Sequence, residues 1–152
     1  MHSYLYIGLL SLLLTACATS SQSTMDTNDG DHVMNDRITP PETTNKAALS
    51  LLANSRAAAL EGNLGKAEAY LERALRIDSK NAVLWHYMAK LRLNQGLLEQ
   101  AAGLAAKSNS LDKTQNKLLQ SDNWRIIAHA RHQSGDIAGA RAAQKTVDLL
   151  AK

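Results

Sequence analysis

The sequence contains no phenylalanine, only two prolines and a single cysteine, and aromatic residues make up 4% of its 152 residues. A single cysteine excludes an intramolecular disulfide, so a folded domain must be stable through packing alone. Scarce aromatic residues together with abundant alanine favour closely packed helices over a strand-rich fold. The sequence also lacks a phosphate-binding loop and a nucleophile elbow. We therefore expect a protein that is not an enzyme, with no catalytic residues and no cofactor.

A hydrophobic run long enough to span a membrane is also lacking. Residues 5–16 are nearly all apolar or small and carry no charge, but this is roughly a dozen residues, whereas a membrane-spanning helix needs about 20. An apolar stretch of this length, followed by small residues, predicts a signal peptide over residues 1–16 that is later removed.

The segment Leu14-Thr15-Ala16-Cys17 closes this stretch and resembles the lipobox of bacterial lipoproteins. The resemblance implies that cleavage exposes Cys17, which is then acylated with fatty chains such as palmitate. One chain holds a protein only marginally, but the family's cysteine carries three, so attachment should be permanent. Ala18 follows instead of the Asp that retains such proteins in the inner membrane, which implies the periplasmic face of the outer membrane. An ordinary cleaved signal or an uncleaved anchor is the alternative.

Charge is unevenly distributed along the rest of the chain. Between residues 18 and 45, five acidic residues face one arginine, a balance of −4, so the remainder must carry +7 to reach the total of +3. Residues 17–44 are rich in Ser, Thr, Asn, Asp and Gly and end near Pro40-Pro41. Such a segment buries too little apolar surface to offset its ordering entropy. We predict the lipidated Cys17 and a flexible acidic linker over 17–44, followed by a folded domain over 45–152.

The folded part repeats itself. Gly62 recurs as Gly96 after 34 residues and as Gly135 after a further 39. Small residues and large residues recur at the same offsets: Ala67, Ala101 and Ala140; Ser55, Ala89 and Ala128; Leu51, Trp85 and Trp124. Each glycine follows one amphipathic run and precedes another, as expected of a residue just past a helix end in the left-handed region. We predict helices over 45–61, 64–77, 82–95, 98–110, 120–134 and 137–151.

This pattern resembles the tetratricopeptide repeat, which places a large residue, a small one, a Gly and an Ala in the order of Trp85, Ala89, Gly96 and Ala101. The resemblance implies an all-α solenoid of about three helix-turn-helix repeats. The second repeat has Ser108 where the family prefers Ala, and a five-residue insertion precedes the third. The last helix must act as its own cap, with Ile137, Ala140, Val147 and Leu150 facing inward.

In this family the first helix of each repeat lines a concave groove. Carried over residue by residue, the resemblance implies a partner-binding groove formed by Arg56, His86, Lys90, Asn94, Arg125, His129, His132 and Gln133. These residues are polar and basic, with Asp122 the lone acid, and favour an acidic or carboxylate-bearing peptide. The opposite, convex side is an open alternative, and so is an ordinary solvated face.

Other ligands fit less well. His129 and His132 stand at i and i+3 and His86 lies within possible reach, but nothing beside them supplies the further ligands and carboxylates that zinc usually takes, so no metal is predicted. Basic character can indicate nucleic acid, but export to the periplasm argues against that partner, and no small-molecule substrate is indicated.

Three segments carry a more specific resemblance: Leu71–Ile77 with Ala82–Trp85, Ala105–Asn109, and Asn123–Ala128. They are similar to the tetratricopeptide-type outer-membrane lipoproteins that activate class A penicillin-binding proteins, the peptidoglycan synthases of cell-wall synthesis. The resemblance implies protein–protein interaction with such a synthase. The alternatives are a pilotin or other assembly lipoprotein for a pilus or secretion complex, and an envelope-integrity adaptor.

Overall fold

The computed structural model describes Ile38, Pro40, Pro41 and residues 45–152. The predicted signal peptide, Cys17 and nearly all of the predicted linker lie outside these residues. The described part of the chain folds into helices only: α1 (Lys46–Leu60), α2 (Leu64–Ile77), α3 (Ala82–Asn94), α4 (Leu98–Leu111), α5 (Lys117–Gln133) and α6 (Ile137–Leu150). The all-α solenoid of three helix pairs that the repeats predict is confirmed.

The same turn joins the two helices of every repeat. Gly62, Gly96 and Gly135 have φ of 76°, 72° and 87°, so each occupies the left-handed region that glycine adopts without steric cost. In the first turn the Gly62 N–H bonds to the Ala59 carbonyl and the next N–H bonds to Ala58. This pair of hydrogen bonds is typical of a helix that ends at glycine. The prediction that the three glycines lie just past helix ends is confirmed.

A polar side chain begins five of the six described helices. Asn45, Asn63, Asn81, Asn116 and Asp136 each accept a hydrogen bond from a backbone N–H of the first turn. Such caps satisfy donors that would otherwise lack a partner. Leu97 precedes α4 and provides no side-chain cap.

Small residues let the helices of each pair approach closely. Ala67, Ala101 and Ala140 are buried at equivalent positions, and Ser55, Ala89 and Ala128 are buried at theirs. Leu104 packs against both apolar clusters, one between the first and second repeats and one between the second and third. The core is therefore continuous along the solenoid, as expected of stacked repeats.

Two details differ from the sequence-based expectation. Helix α5 begins at Lys117 and not at residue 120, because the insertion adds one residue to the preceding loop and four to the helix. The inward position predicted for Ile137 is wrong, since its side chain is 42% exposed, whereas Ala140 and Val147 are buried as expected. Ile137 begins α6, the last of the described helices, so no following repeat covers its side chain in the described part of the chain.

One residue of the predicted linker packs on the domain. Ile38 is only 4% exposed and belongs to the apolar cluster of the first two repeats. Its carbonyl accepts a hydrogen bond of 3.1 Å from the Tyr87 hydroxyl on α3. The chain therefore touches the domain before α1 begins.

Candidate partner-binding face

Cationic side chains from α3 and α5 lie beside one carboxylate, and a third, from α1, lies near them. Asp122 lies 3.5 Å from the Lys90 Nζ and 3.8 Å from an Arg125 nitrogen. Arg56 on α1 is close enough that its charge lowers the pKa of Lys90, although burial is the larger cause and Asp122 opposes both. We call Arg56, Lys90, Asp122 and Arg125 the basic face. The basic face thus combines three cationic side chains with one carboxylate.

Arg56 and Tyr87 connect this face to the first repeat. The Arg56 guanidinium carbon lies 5.5 Å from the centre of the Tyr87 ring, within the range of a cation–π contact. The Tyr87 ring is fully buried, and its hydroxyl donates to the Ile38 carbonyl. Ile38 thus lies beside the basic face, because both contact the same ring.

A buried polar network lies beneath the basic face. His86 and Asn123 are both fully buried, and His86 Nδ1 lies 2.8 Å from Asn123 Oδ1. The Asn123 amide nitrogen donates to Ser108 Oγ and to Asn109 Oδ1 at 2.8 Å each. Ser108 in turn donates to the Ala82 carbonyl. The network joins α3, α4 and α5, the helices on either side of the junction between the second and third repeats.

The network determines which nitrogen of His86 carries a proton. Because the Asn123 amide donates through its nitrogen, its oxygen must accept, so His86 Nδ1 is the donor. His86 Nε2 then points at Asp122 Oδ2, 3.4 Å away. Burial lowers the pKa of His86 to about 4, and Lys90 adds to this effect, while Asp122 and Asn123 oppose it. At neutral pH the ring is uncharged and adds no charge to the basic face.

The structure sorts the residues predicted for the groove into three groups. His86 is buried below the surface, so any part it takes in binding is through its neighbours. Arg56, Lys90 and His129 are half-buried. The exposed members are Asn94, Arg125, His132 and Gln133.

Only some of these residues form one cluster. Lys90 and Arg125 lie beside Asp122, with His86 beneath it, and Arg56 lies near Lys90. Asn94 is the last residue of α3. His132 and Gln133 lie at the end of α5, about 15 Å along that helix from Asp122 at about 1.5 Å per residue. The role of all eight residues in binding a partner stays a prediction.

The sequence analysis did not predict that Asn123 is buried or that it is hydrogen-bonded to Ser108. Asn123 falls between Leu119 and Ile126 in the apolar stripe of α5, and both of these neighbours are buried. A polar residue at such a position must have a hydrogen-bond partner. Ser108 stands where the repeat family prefers alanine, and this polar residue could have indicated the hydrogen-bond partner of Asn123.

A groove on a different side of α3 is a second candidate surface. Its volume is about 660 Å³ and it opens between α2, α3 and α4. Its apolar lining is formed by Leu75, Trp85, Met88 and Leu104, and its polar lining includes Glu72 and Arg76. The Trp85 ring is held in place by a hydrogen bond from its Nε1 to the Ser79 carbonyl and by Lys107 Nζ, 3.5 Å from the ring centre.

Two further findings bear on the possible ligands. Within the described residues no three or more His, Cys, Asp or Glu side chains come together in a way that would hold a metal ion. None of the helices that the structure describes has the length and hydrophobicity required to cross a bilayer.

Comparison with known proteins identifies the family of the helical domain. The model of the tetratricopeptide repeat family matches residues 58–116. The globular C-terminal domain of P. aeruginosa LpoP is 33% identical, with a TM-score of 0.65, and the match covers 68% of this chain and 97% of that one. No curated protein matches the sequence.

A second solved structure shares the fold alone. The N-terminal domain of stress-induced protein-1 (STI-1) from C. elegans is 15% identical with a TM-score of 0.61, and the match covers 74% of this chain and all of that one. The helix pairs, the glycine turns and the LpoP match agree on a repeat fold that mediates protein–protein interaction. The chain belongs to the tetratricopeptide-repeat family of the LpoP globular C-terminal domain.

Proposed function

We propose that this protein is an outer-membrane-anchored interaction module that binds and activates a class A penicillin-binding protein. The observation that carries the proposal is the match to the LpoP domain, at 33% identity over 97% of that domain. A match of this extent relates the chain to one particular domain and not only to helical repeats at large. It supports the resemblance to lipoprotein activators on the segments 71–77, 82–85, 105–109 and 123–128.

The basic face is the proposed contact surface. Its charges come from three successive first helices, so a single extended segment of a partner can contact all of them. Arg56 and Arg125 offer planar groups that suit carboxylates. An acidic segment of the synthase, or a chain end carrying a carboxylate, is the chemistry that would complement it. The protein itself supplies no reaction; it changes the activity of its partner by binding.

The activity test uses a purified class A penicillin-binding protein. We expect the protein to stimulate glycan polymerisation and peptide crosslinking by this synthase. Replacing Lys90 and Arg125 together by Gln should weaken the apparent affinity about tenfold, which is about 1.4 kcal/mol. Because both residues are replaced by an amide of similar size, the fold should be retained, which circular dichroism will check.

A matched control removes the same charge elsewhere. Arg141 and Lys145 lie on the exposed side of α6, and replacing both by Gln should leave stimulation unchanged. If wild type neither binds nor stimulates the synthase, the proposed function is wrong. If both double variants behave like wild type, the synthase uses another surface, of which the groove lined by Trp85 and Met88 is the first to test.

The proposed location depends on Cys17, which lies outside the described residues. We propose that an acylated Cys17 holds the protein at the periplasmic face of the outer membrane. Cys17→Ser should release the protein from the outer-membrane fraction into the soluble fraction. It should also abolish incorporation of labelled palmitate. Unchanged fractionation of this variant would indicate an uncleaved anchor instead.

A further inference from the structure

The ends of the helices lie along two edges of the solenoid, because successive helices run in opposite directions. The turns inside the repeats form one edge. The other edge, which we call the loop edge, consists of the loops 78–81 and 112–116 with the starts of α1, α3 and α5 and the ends of α2, α4 and α6. Helix α1 begins at Lys46, so the chain enters the helical domain at the loop edge.

The loop edge carries an excess of positive charge. In its loops and within four residues of its helix ends, the cations are Lys46, Arg76, Lys80, Lys113 and Lys117, and all are exposed. The acids are Asp78, Asp112 and Asp148. Each of these carboxylates accepts a hydrogen bond from a residue three or four positions away along the chain. Between residues 46 and 150 the loop edge therefore has more cations than acids.

The opposite edge has no such excess. Within the same distance of its helix ends and in its turns, the cations Lys66, Arg92 and Arg131 are matched in number by Glu61, Glu99 and Asp136. Arg92 is also bound to Glu68, and Arg131 lies 3.9 Å from Asp136. The other cations between residues 46 and 150, including those of the basic face, lie between the two edges.

Large apolar side chains are exposed at both edges. Ile77, Leu118 and Leu149 at the loop edge are between 44% and 57% exposed. Leu60, Leu97 and Ile137 are exposed at the opposite edge. Among the described residues, the combination of exposed apolar side chains with an excess of cations therefore belongs to the loop edge.

We propose that the loop edge lies on the surface of a bilayer that contains anionic phospholipid. Lysine keeps its ammonium group among the lipid headgroups while its methylene stem lies along apolar groups. Exposed apolar side chains enter the boundary between headgroups and acyl chains, and nearby cations add attraction to the anionic lipid. The helices then stand upright on the bilayer, so the basic face stays open to a partner from the side.

The course of the chain favours a bilayer over an acidic protein as the occupant. The proposed anchor, Cys17, precedes Lys46 in the sequence, so an anchored chain brings the loop edge toward the membrane first. The contact itself needs no anchor, because its charges and apolar side chains belong to the helical domain. It goes beyond the proposed function, since it involves no synthase.

The first test measures sedimentation of residues 18–152 with vesicles. This chain lacks Cys17, and the acidic residues 18–44 oppose binding to an anionic surface, so the binding measured must come from the domain. We expect binding to phosphatidylcholine vesicles with about 30% phosphatidylglycerol, weaker binding at high salt, and little binding to phosphatidylcholine alone. A protein that binds neither kind of vesicle would overturn the proposal and leave an acidic protein as the occupant.

Matched charge variants separate the loop edge from general basicity. Replacing Lys113 and Lys117 together by Gln should weaken the partition onto anionic vesicles about tenfold. Replacing Lys66 and Arg141 by Gln removes the same charge from exposed positions outside the loop edge, and should change it less than about twofold. Circular dichroism will check that both variants keep the fold. Equal weakening by the two variants would show that no particular edge is used.

A labelled residue reports which edge meets the lipid. Since residues 18–152 contain no cysteine, Leu149→Cys and Leu60→Cys each provide one position for an environment-sensitive dye. Both side chains are more than half exposed, so labelling should not disturb the core. On anionic vesicles the dye at position 149 should shift to shorter wavelength, whereas the dye at position 60 should not. A shift at position 60 alone, or equal shifts at both positions, would contradict the proposed orientation. Neither test uses the synthase, so each proposal stands or fails on its own measurement.

Discussion

Asn123 connects three helices through one amide group. Its oxygen accepts from His86 on α3, and its nitrogen donates to Ser108 and Asn109 on α4. The bonds to His86 and Ser108 are buried, so a lost partner there is not replaced by solvent. The bond to Asn123 also fixes the rotation of the His86 ring.

Asn123→Ala should therefore destabilise the domain strongly. It leaves the His86 N–H without an acceptor and opens a cavity, at a combined cost of about 2–4 kcal/mol. Urea unfolding followed by circular dichroism measures the change. Asn94→Ala, an exposed change on α3, is the matched control and should stay within about 0.5 kcal/mol of wild type. Equal stability of the two variants would contradict the network.

His86 makes stability depend on pH. Its pKa is lowered to about 4 by burial, whereas an unfolded histidine has a pKa of about 6.5. Between these values the unfolded chain binds more protons than the folded one, so stability falls as pH decreases from about 6.5 toward 4. Above pH 6.5 the contribution of this residue is constant. The loss at pH 4 is at most about 3 kcal/mol.

The measurement compares wild type with His86→Gln, which has an amide in place of the titratable ring. Unfolding free energies at pH 7.5, 6.0 and 4.5 give the difference between the two proteins, and other titrating groups cancel in that difference. The stability of wild type should decline relative to the variant as pH falls. A constant difference would show that His86 titrates at an ordinary pKa.

At the scale of elements, the start of α4 is the one described helix start without a side-chain cap. Asn63 and Asp136 occupy the equivalent position in the other repeats and cap their helices, whereas Leu97 has no oxygen with which to accept. Leu97→Asn should stabilise the domain by about 0.5–1 kcal/mol. Thermal unfolding should shift upward by a few degrees. Asn63→Ala, the reverse change, should lower stability by about 1 kcal/mol, and no change in either variant would refute the capping argument.

The helices were predictable because their signals are local. Glycine at the left-handed position and alanine at the closest approach of two helices recur with the repeat, so Gly62, Gly96 and Gly135 locate three helix ends. The start of α5 was not predictable in the same way, because nothing in the sequence divides an insertion between loop and helix. Asn116 caps α5, and only the fold shows which of several polar residues does so.

The candidate site was less predictable, because its residues are joined by contacts between distant positions. His86 and Asn123 are 37 residues apart, and Tyr87 and Ile38 are 49 apart. The resemblance to the repeat family, carried over residue by residue, predicted Arg56, Lys90 and Arg125 on one face. It did not distinguish the buried His86 from the accessible Arg125, since that difference depends on how deeply each first helix sits between its neighbours.

At the scale of the whole molecule, the two junctions between repeats are unequal. Helix α4 packs against α5 more extensively than α2 packs against α3, and the Asn123 network adds polar contacts at the former. At the junction of α2 and α3 an open groove takes up part of the space. There, Glu68 on α2 is bound by Arg92 and Gln95 at the end of α3. In a solenoid, stability is the sum of repeat and junction contributions, so unequal junctions permit partial opening.

We expect native-state hydrogen exchange to show this inequality. Amides of α3, α4 and α5 should open with free energies near that of global unfolding, and those of α1 and α2 at least about 1 kcal/mol lower. Glu68→Gln should lower the α1 and α2 values by a further 0.5–1 kcal/mol, roughly the contribution of a part-exposed ion pair, because it weakens the bond to Arg92. The opening free energies of α4 and α5 should change less. Uniform protection along the chain would mean that the three repeats unfold as one unit and that the basic face does not change shape with the first repeat.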